Sequence, residues 1–197
     1  MILYDSPLSP FARKCKIIIQ AKDLDVEIVV ADKDGANGYA AGPNPLGKVP
    51  CLDRGECDVP LFDSPLICEY LDSLKDPWLP KNGEGRWKAY RLHRIGDGLS
   101  EAVYNRRYEV VRDEKLHWPE IIERHDTAIR NVVTYLDGII QYVPDHWSFG
   151  PVSVVCALDY TDFRADHIGW RDLAPNLATW HAGFADLPEY QSTYAYA

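Results

Sequence analysis

Apolar and polar positions along the first eighty residues change period in short blocks. Ile2–Tyr4 reads as a strand, closed at once by the turn residues Asp5-Ser6-Pro7. Ser9-Pro10 then opens a helix, with serine as N-cap and proline at the first helical position. Phe11, Ile17, Ile18 and Ala21 give that helix an apolar face as far as about Lys22. Val26–Val30 predicts a second strand, whose weak alternation implies burial on both faces. Residues 33–45 are rich in Gly, Asn and Pro and predict irregular chain with one helical turn. Val49–Leu52 and Val59–Phe62 predict two strands joined by the polar turn Asp53-Arg54-Gly55-Glu56. Asp63-Ser64-Pro65 starts another helix by the same capping device, with Leu66, Ile67, Tyr70, Leu71 and Leu74 on one side. A helix between the first strands and a hairpin between the last predict a small mixed sheet covered by helices.

The period then becomes helical throughout. Asp76–Gly85, with Pro77, Pro80, Gly83 and Gly85, reads as a linker. Trp87, Tyr90, Leu92, Ile95, Leu99 and Val103 recur near 3.6 spacing, and Gly96 and Gly98 make a candidate close-packing notch. Pro119 starts a helix that ends before Pro144, and Ser148 to Arg164 and Pro175 to Ala185 predict two more. The organisation expected is an α/β domain over residues 1–76, a linker over 77–85 and an all-helical domain over 86–197.

Composition narrows the function classes. With 21 Lys+Arg against 30 Asp+Glu the net charge is −9, and both halves of the chain are negative, which argues against nucleic acid as a partner. A small acidic ligand would need a local positive site working against that global sign. No apolar run reaches the ~18–20 residues of a membrane helix, and no basic leader precedes the first strand, so neither membrane nor secretion is expected. The five cysteines, Cys15, Cys51, Cys57, Cys68 and Cys156, form no C-x-x-C and no zinc spacing. Scattered thiols of this kind suit a reducing cytoplasm, and no metal is expected.

Three motifs carry candidate chemistry. Ser9-Pro10 is a helix cap, and equally a hydroxyl at a helix N-terminus where an anion is favoured. Val49-Pro50 is either the start of an edge strand or a cis bond in a tight turn. Asp63-Ser64-Pro65 places a carboxylate and a hydroxyl at a second helix start. In sequence they read Ser6-Pro7-Leu8-Ser9-Pro10-Phe11-Ala12-Arg13-Lys14, Asn44-Pro45-Leu46-Gly47-Lys48-Val49-Pro50 and Phe62-Asp63-Ser64-Pro65-Leu66-Ile67-Cys68-Glu69-Tyr70-Leu71. In composition, order and spacing they resemble the N-terminal domain of the cytosolic glutathione transferases, especially small bacterial members, with the plant Tau class similar around the serine.

That resemblance implies a thioredoxin-like α/β domain followed by an all-α domain, glutathione as co-substrate, and a homodimer. It implies that Ser9 donates a hydrogen bond to the glutathione sulfur, with Phe11 among the glutathione-binding residues. Lys48 would pair with the glycyl carboxylate. Val49 would offer its backbone N–H and C=O to the cysteinyl group, with Pro50 cis, and Asp63 and Ser64 would hold the γ-glutamyl end. The magnitudes allow this mechanism. Lowering a thiol pKa of about 8.5 by ~2 units requires about 2.7 kcal/mol. One hydroxyl bond to an anion supplies about 1.5–3 kcal/mol and a helix dipole about 0.3–1.

Neighbouring residues receive plainer readings. Tyr4 precedes Ser9 by five residues and reads as a packing residue. Omega-type and glutaredoxin-like relatives carry cysteine where this chain has Ser9, which disfavours a mixed disulfide on the protein, and Cys15 lies almost two turns further along. Ser148 matches the serine of the family's capping box, but Pro151 occupies the aspartate position, which predicts the loss of one reciprocal cap bond. The second substrate is expected between the domains, against Phe11 and the long helix bearing Tyr104, Arg107, Tyr108 and Arg112; the same residues also read as packing and helix-face ion pairs. The function expected is a cytoplasmic, detoxifying transferase acting on a small electrophile or peroxide. The alternatives are a regulatory binding protein on the same fold and a glutathione-dependent disulfide reductase.

Overall fold

A computed structural model describes residues 1–31, 43–55 and 59–196. The irregular stretch predicted over 33–45 falls mostly outside these residues, as does Glu56 of the predicted turn. The chain forms two compact units: residues 1–90 together with 188–195, and residues 91–187 together with Tyr196.

In the first unit, β1 (Ile2–Asp5), α1 (Pro10–Ala21) and β2 (Glu27–Val30) make a β-α-β crossover in which β1 and β2 pair in parallel. β3 (Cys51–Asp53) pairs with β1 antiparallel, giving the sheet order β2-β1-β3, and α2 (Ser64–Leu74) follows. This is the thioredoxin-like layout. Two expectations are corrected. The segment Val59–Phe62 does not form a strand; it reaches the sheet only through the mutual backbone bonds of Leu52 and Leu61, at 3.0 and 2.9 Å. The second strand is not buried on both faces: it is the edge of the sheet, with Val30 59% exposed, because β1 pairs with it on one side only.

α1 is buried along almost its whole length between β1, α2 and the short helix at the chain end. Its charged side chains are satisfied there, as buried charges must be. Lys16 Nζ lies 2.8 Å from Asp5 Oδ2. Lys22 Nζ meets the carbonyls of Lys75 and Asp76 at 2.8 and 2.7 Å and Asp72 Oδ1 at 3.1 Å. Arg13 donates from Nε to Thr193 Oγ1 at 3.3 Å and stacks over the rings of Tyr190 and Tyr194. The segment 188–195 thus packs with the first unit, whereas the sequence assigned it to the helical domain.

The helical unit takes in α3 (Gly83–Val110) from residue 91 onward, then α4 (Pro119–Ile139), α5 (Pro151–Ala165), α6 (Trp170–Leu173) and α7 (Pro175–Ala182). α8 (Pro188–Thr193) is the segment packed on α1. α3 begins inside the predicted linker. α5 is buried from Pro151 through Thr161 and forms the axis of the core with Leu99, Val103, Ile129, Val133 and Leu136. Half of the predicted glycine notch forms. A Cβ on Gly96 would stand 2.5 Å from the Ser153 carbonyl carbon, whereas one on Gly98 would meet nothing within 4 Å. Ser148 does not cap α5. Its hydroxyl donates to the His146 carbonyl at 3.3 Å, and Gly150 takes the cap position ahead of Pro151.

Candidate functional site

Strand register brings the three motifs to one end of the sheet. β1 runs towards Asp5, and the chain continues through a tight turn, with Ser9 N–H bonded to Ser6 O at 2.8 Å, into the N-terminus of α1. β3 is antiparallel with Cys51 opposite Tyr4, so Val49 and Pro50 stand beside that same end. Leu61 is antiparallel to Leu52, so the chain running on to Asp63 and Ser64 returns there as well.

Each motif has a defined geometry. Ser9 is the N-cap of α1: its Oγ accepts the Ala12 N–H at 3.2 Å, and its own hydroxyl hydrogen finds no acceptor among the described residues. Phe11, half-buried, lies in the first turn that follows. Asn44 shapes the second motif, which the quoted sequence contains but whose role was not assigned. Its Oδ1 accepts the Leu46 N–H at 2.9 Å and its Nδ2 donates to Lys48 O at 2.7 Å. Gly47 takes φ +60°, a left-handed conformation that suits glycine. The Asn-Pro-x-Gly turn chemistry was the available signal for this role. The turn leaves Lys48 exposed and leads into Val49, half-buried, and Pro50, buried, joined by a cis peptide bond. No described residue hydrogen-bonds the Val49 backbone N–H or C=O.

The third motif corrects the capping reading. Ser64 is the first residue of α2, not its cap, and Asp63 stands at the cap position without a side-chain hydrogen bond. Ser64 is 3% exposed, and its hydroxyl has no partner among the described residues. Two helix N-termini, one exposed cation and one strand edge therefore open at one end of the sheet, where the Ser9 hydroxyl hydrogen, the Asp63 carboxylate and the Ser64 hydroxyl have no partner among the described residues. Such a set suits a ligand with both anionic and ammonium ends and a peptide backbone.

Cysteine chemistry is muted here. Cys51, directly after Pro50, is fully buried, and burial, helped by the charge of Asp53, pushes its thiol up to about 11. Cys15 and Cys68 face each other at 3.6 Å inside the packing of α1 on α2. Tyr104, Arg107 and Tyr108 belong to the helical unit. The two tyrosines, one turn apart on α3, are 38% and 50% exposed with ring centroids 4.6 Å apart, and Arg107 is half-buried.

The chain belongs to the glutathione transferase superfamily, on both sequence and structural similarity. Residues 3–79 match the glutathione S-transferase N-terminal domain. The GST-like protein YibF of Escherichia coli K12 is 30% identical over 188 residues, 90% of each chain. A glutathione transferase family member from Pseudomonas fluorescens Pf-5, solved with bound S-(propanoic acid)-glutathione, is 30% identical and superposes with a TM-score of 0.88 over 98% of both chains. A glutathione S-transferase from Methylobacillus flagellatus KT, solved with glutathione, is 28% identical, with a TM-score of 0.89 over 98% of both chains. No helix among the described residues is long and apolar enough to cross a membrane.

Proposed function

We propose that this protein binds glutathione at the sheet end that carries Ser9, Val49-Pro50 and Asp63-Ser64, and joins the glutathione through its sulfur to a small electrophile. Two relatives solved with glutathione or an S-conjugate of it support the ligand. The observation that carries the mechanism is the polarity of Ser9. Because Oγ already accepts the Ala12 N–H, the hydroxyl hydrogen is left to donate outward. A thiolate accepting it would also feel the positive end of the α1 dipole. The unpaired backbone of Val49 would hold the cysteinyl group as one strand holds another. Lys48 would neutralise the glycyl carboxylate, and Asp63 with Ser64 would receive the γ-glutamyl ammonium and carboxylate. The thiolate then forms a carbon–sulfur bond at the electrophile while the leaving group departs with its electron pair. Tyr104, Tyr108 and Arg107 are assigned to the electrophile, the rings supplying an apolar face. A homodimer and a detoxifying role in the cytoplasm complete the proposal.

The test is turnover of a model aryl halide beside turnover of a small glutathione disulfide. Conjugation that exceeds disulfide reduction and falls in Ser9→Ala supports the transferase reading. Reduction alone, unaffected by Ser9→Ala, points to the reductase alternative. Glutathione binding without either activity points to the regulatory one.

A further inference from the structure

Two buried lysines, Lys16 within α1 and Lys22 at its C-terminal cap, secure this helix in different directions. Lys22 is met by three oxygens: the Lys75 and Asp76 carbonyls at 2.8 and 2.7 Å and Asp72 Oδ1 at 3.1 Å. It also lies over the Trp78 ring, 4.3 Å from the centroid. Those contacts join α1 to the end of α2, thirteen residues and about 20 Å of helix beyond Ser9. Lys16 reaches the other way. Its Nζ meets Asp5 Oδ2 at 2.8 Å, with 11% and 3% of the two side chains exposed. Asp5 ends β1; Ser9 follows it by four residues and precedes Lys16 by seven, about two helical turns. The ion pair therefore closes a ring around the turn that presents Ser9.

The backbone bonds in that ring are short. Asp5 O accepts the Ala31 N–H at 2.7 Å, Ser9 N–H donates to Ser6 O at 2.8 Å, and Arg13 N–H donates to Ser9 O at 3.0 Å. Asp5 Oδ1, in contrast, is buried with no hydrogen-bond partner among the described residues. A buried ion pair with one carboxylate oxygen unsatisfied adds little to stability, and apolar side chains of similar volume often do as well or better. What it supplies is direction, because a charge-assisted hydrogen bond holds one geometry where apolar packing tolerates several.

We propose that Lys16 and Asp5 are positioning residues for Ser9: their ion pair fixes the β1–α1 turn so that the Ser9 hydroxyl hydrogen aims at the glutathione sulfur. This rests on the transferase reading above and deepens it. The pair acts through the turn, and its two charges cancel. Its effect therefore falls on the acidity of the bound thiol, while Lys48, Val49, Asp63 and Ser64 hold the tripeptide. Such leverage is large, since hydrogen bonds weaken steeply when bent and a displacement of about 1 Å can cost on the order of 100-fold in rate.

The test compares wild type with Lys16→Met, Lys16→Arg, the double variant Asp5→Leu/Lys16→Met, and Lys22→Met. The readouts are ultraviolet titration of the thiolate in the glutathione complex and thermal melts. Lys16→Met strands the Asp5 carboxylate, so it should melt lower. It should also raise the bound thiol pKa by about 1 unit, a roughly tenfold loss of thiolate and of kcat below that pKa. Lys16→Arg should recover part of both. The double variant leaves no buried charge and should melt near wild type, yet keep the raised pKa. Lys22→Met should melt lower and keep the wild-type pKa. Glutathione affinity below the wild-type thiol pKa, where every complex holds the neutral thiol, should be equal in all of them. A thiol pKa depressed in wild type and unmoved in Lys16→Met and the double variant overturns the positioning role and leaves the transferase reading intact. So does one that Lys22→Met raises as much as Lys16→Met. A wild type that binds no glutathione, or binds it without lowering the thiol pKa, overturns both.

Discussion

Ser9→Ala removes one oxygen and, on this account, two interactions of different kinds. The first is the cap. Ala12 N–H loses its acceptor at 3.2 Å, which costs about 1 kcal/mol within a range of about 0.5–2. For a chain of 197 residues that lowers the melting temperature by about 2–4 °C per kcal/mol. The second is the hydrogen bond donated to the thiolate, worth about 1.5–3 kcal/mol, so its loss raises the thiol pKa of bound glutathione by about 1–2 units. In the pH range where the wild-type complex is half ionised, the thiolate fraction falls about five- to fiftyfold. Ser9→Gly separates the two, because glycine at an N-cap costs only a few tenths of a kcal/mol yet lacks the hydroxyl. The assay is a pH titration of the thiolate ultraviolet absorbance in glutathione complexes of the three proteins, beside thermal melts. Expected are a similar rise in thiol pKa in both variants and a clear drop in melting temperature only in Ser9→Ala. A thiol pKa unchanged in both variants would refute the role of Ser9, whatever the melts show.

Three further outcomes follow from particular contacts. Gly96→Ala forces a Cβ against the Ser153 backbone and should destabilise by about 1–3 kcal/mol, whereas Gly98→Ala enters open space on α3 and should stabilise by about 0.5–1 kcal/mol; equal melting temperatures would contradict the α3–α5 seam. Cys51 ionises near 9 when unfolded and near 11 when folded. The unfolded state therefore releases its proton first, and stability falls between those values more steeply in wild type than in Cys51→Ala; parallel slopes in denaturant titrations would contradict the burial argument. The Glu109 carboxyl is held below its ordinary 4.5 by the Trp118 N–H and by Arg112. Its contribution is present above 4.5 and lost as pH falls through the lower folded value, so Glu109→Gln should lower stability at neutral pH and match wild type in acid. A deficit that persists in acid would assign the effect to packing.

Much of this architecture was legible because proline punctuates it. Pro10, Pro65, Pro119, Pro151 and Pro175 each stand in the first turn of a helix, where a missing N–H costs nothing. The three site motifs were legible for a related reason: tight turns and helix starts demand Ser, Asn, Gly and Pro at fixed offsets. What local pattern could not reveal depends on distant partners. Arg13 reads as a surface residue until Tyr190, Thr193 and Tyr194 arrive from the other end of the chain. Val26–Val30 carries the composition of a buried strand, and its exposure follows only from its place at the sheet edge. Ser64 has the sequence of a cap, yet a one-residue shift in the start of α2 frees its hydroxyl for a ligand.

On the proposed reading the sheet end holds glutathione through groups that lack a partner among the described residues, the Ser64 hydroxyl foremost. Calorimetric titration of glutathione into wild type and Ser64→Ala tests it most directly. Wild type should bind one glutathione per chain. Ser64→Ala, which breaks no hydrogen bond among the described residues, should melt close to wild type and bind about tenfold more weakly. No binding heat in wild type, or equal affinity in the two proteins, would contradict it.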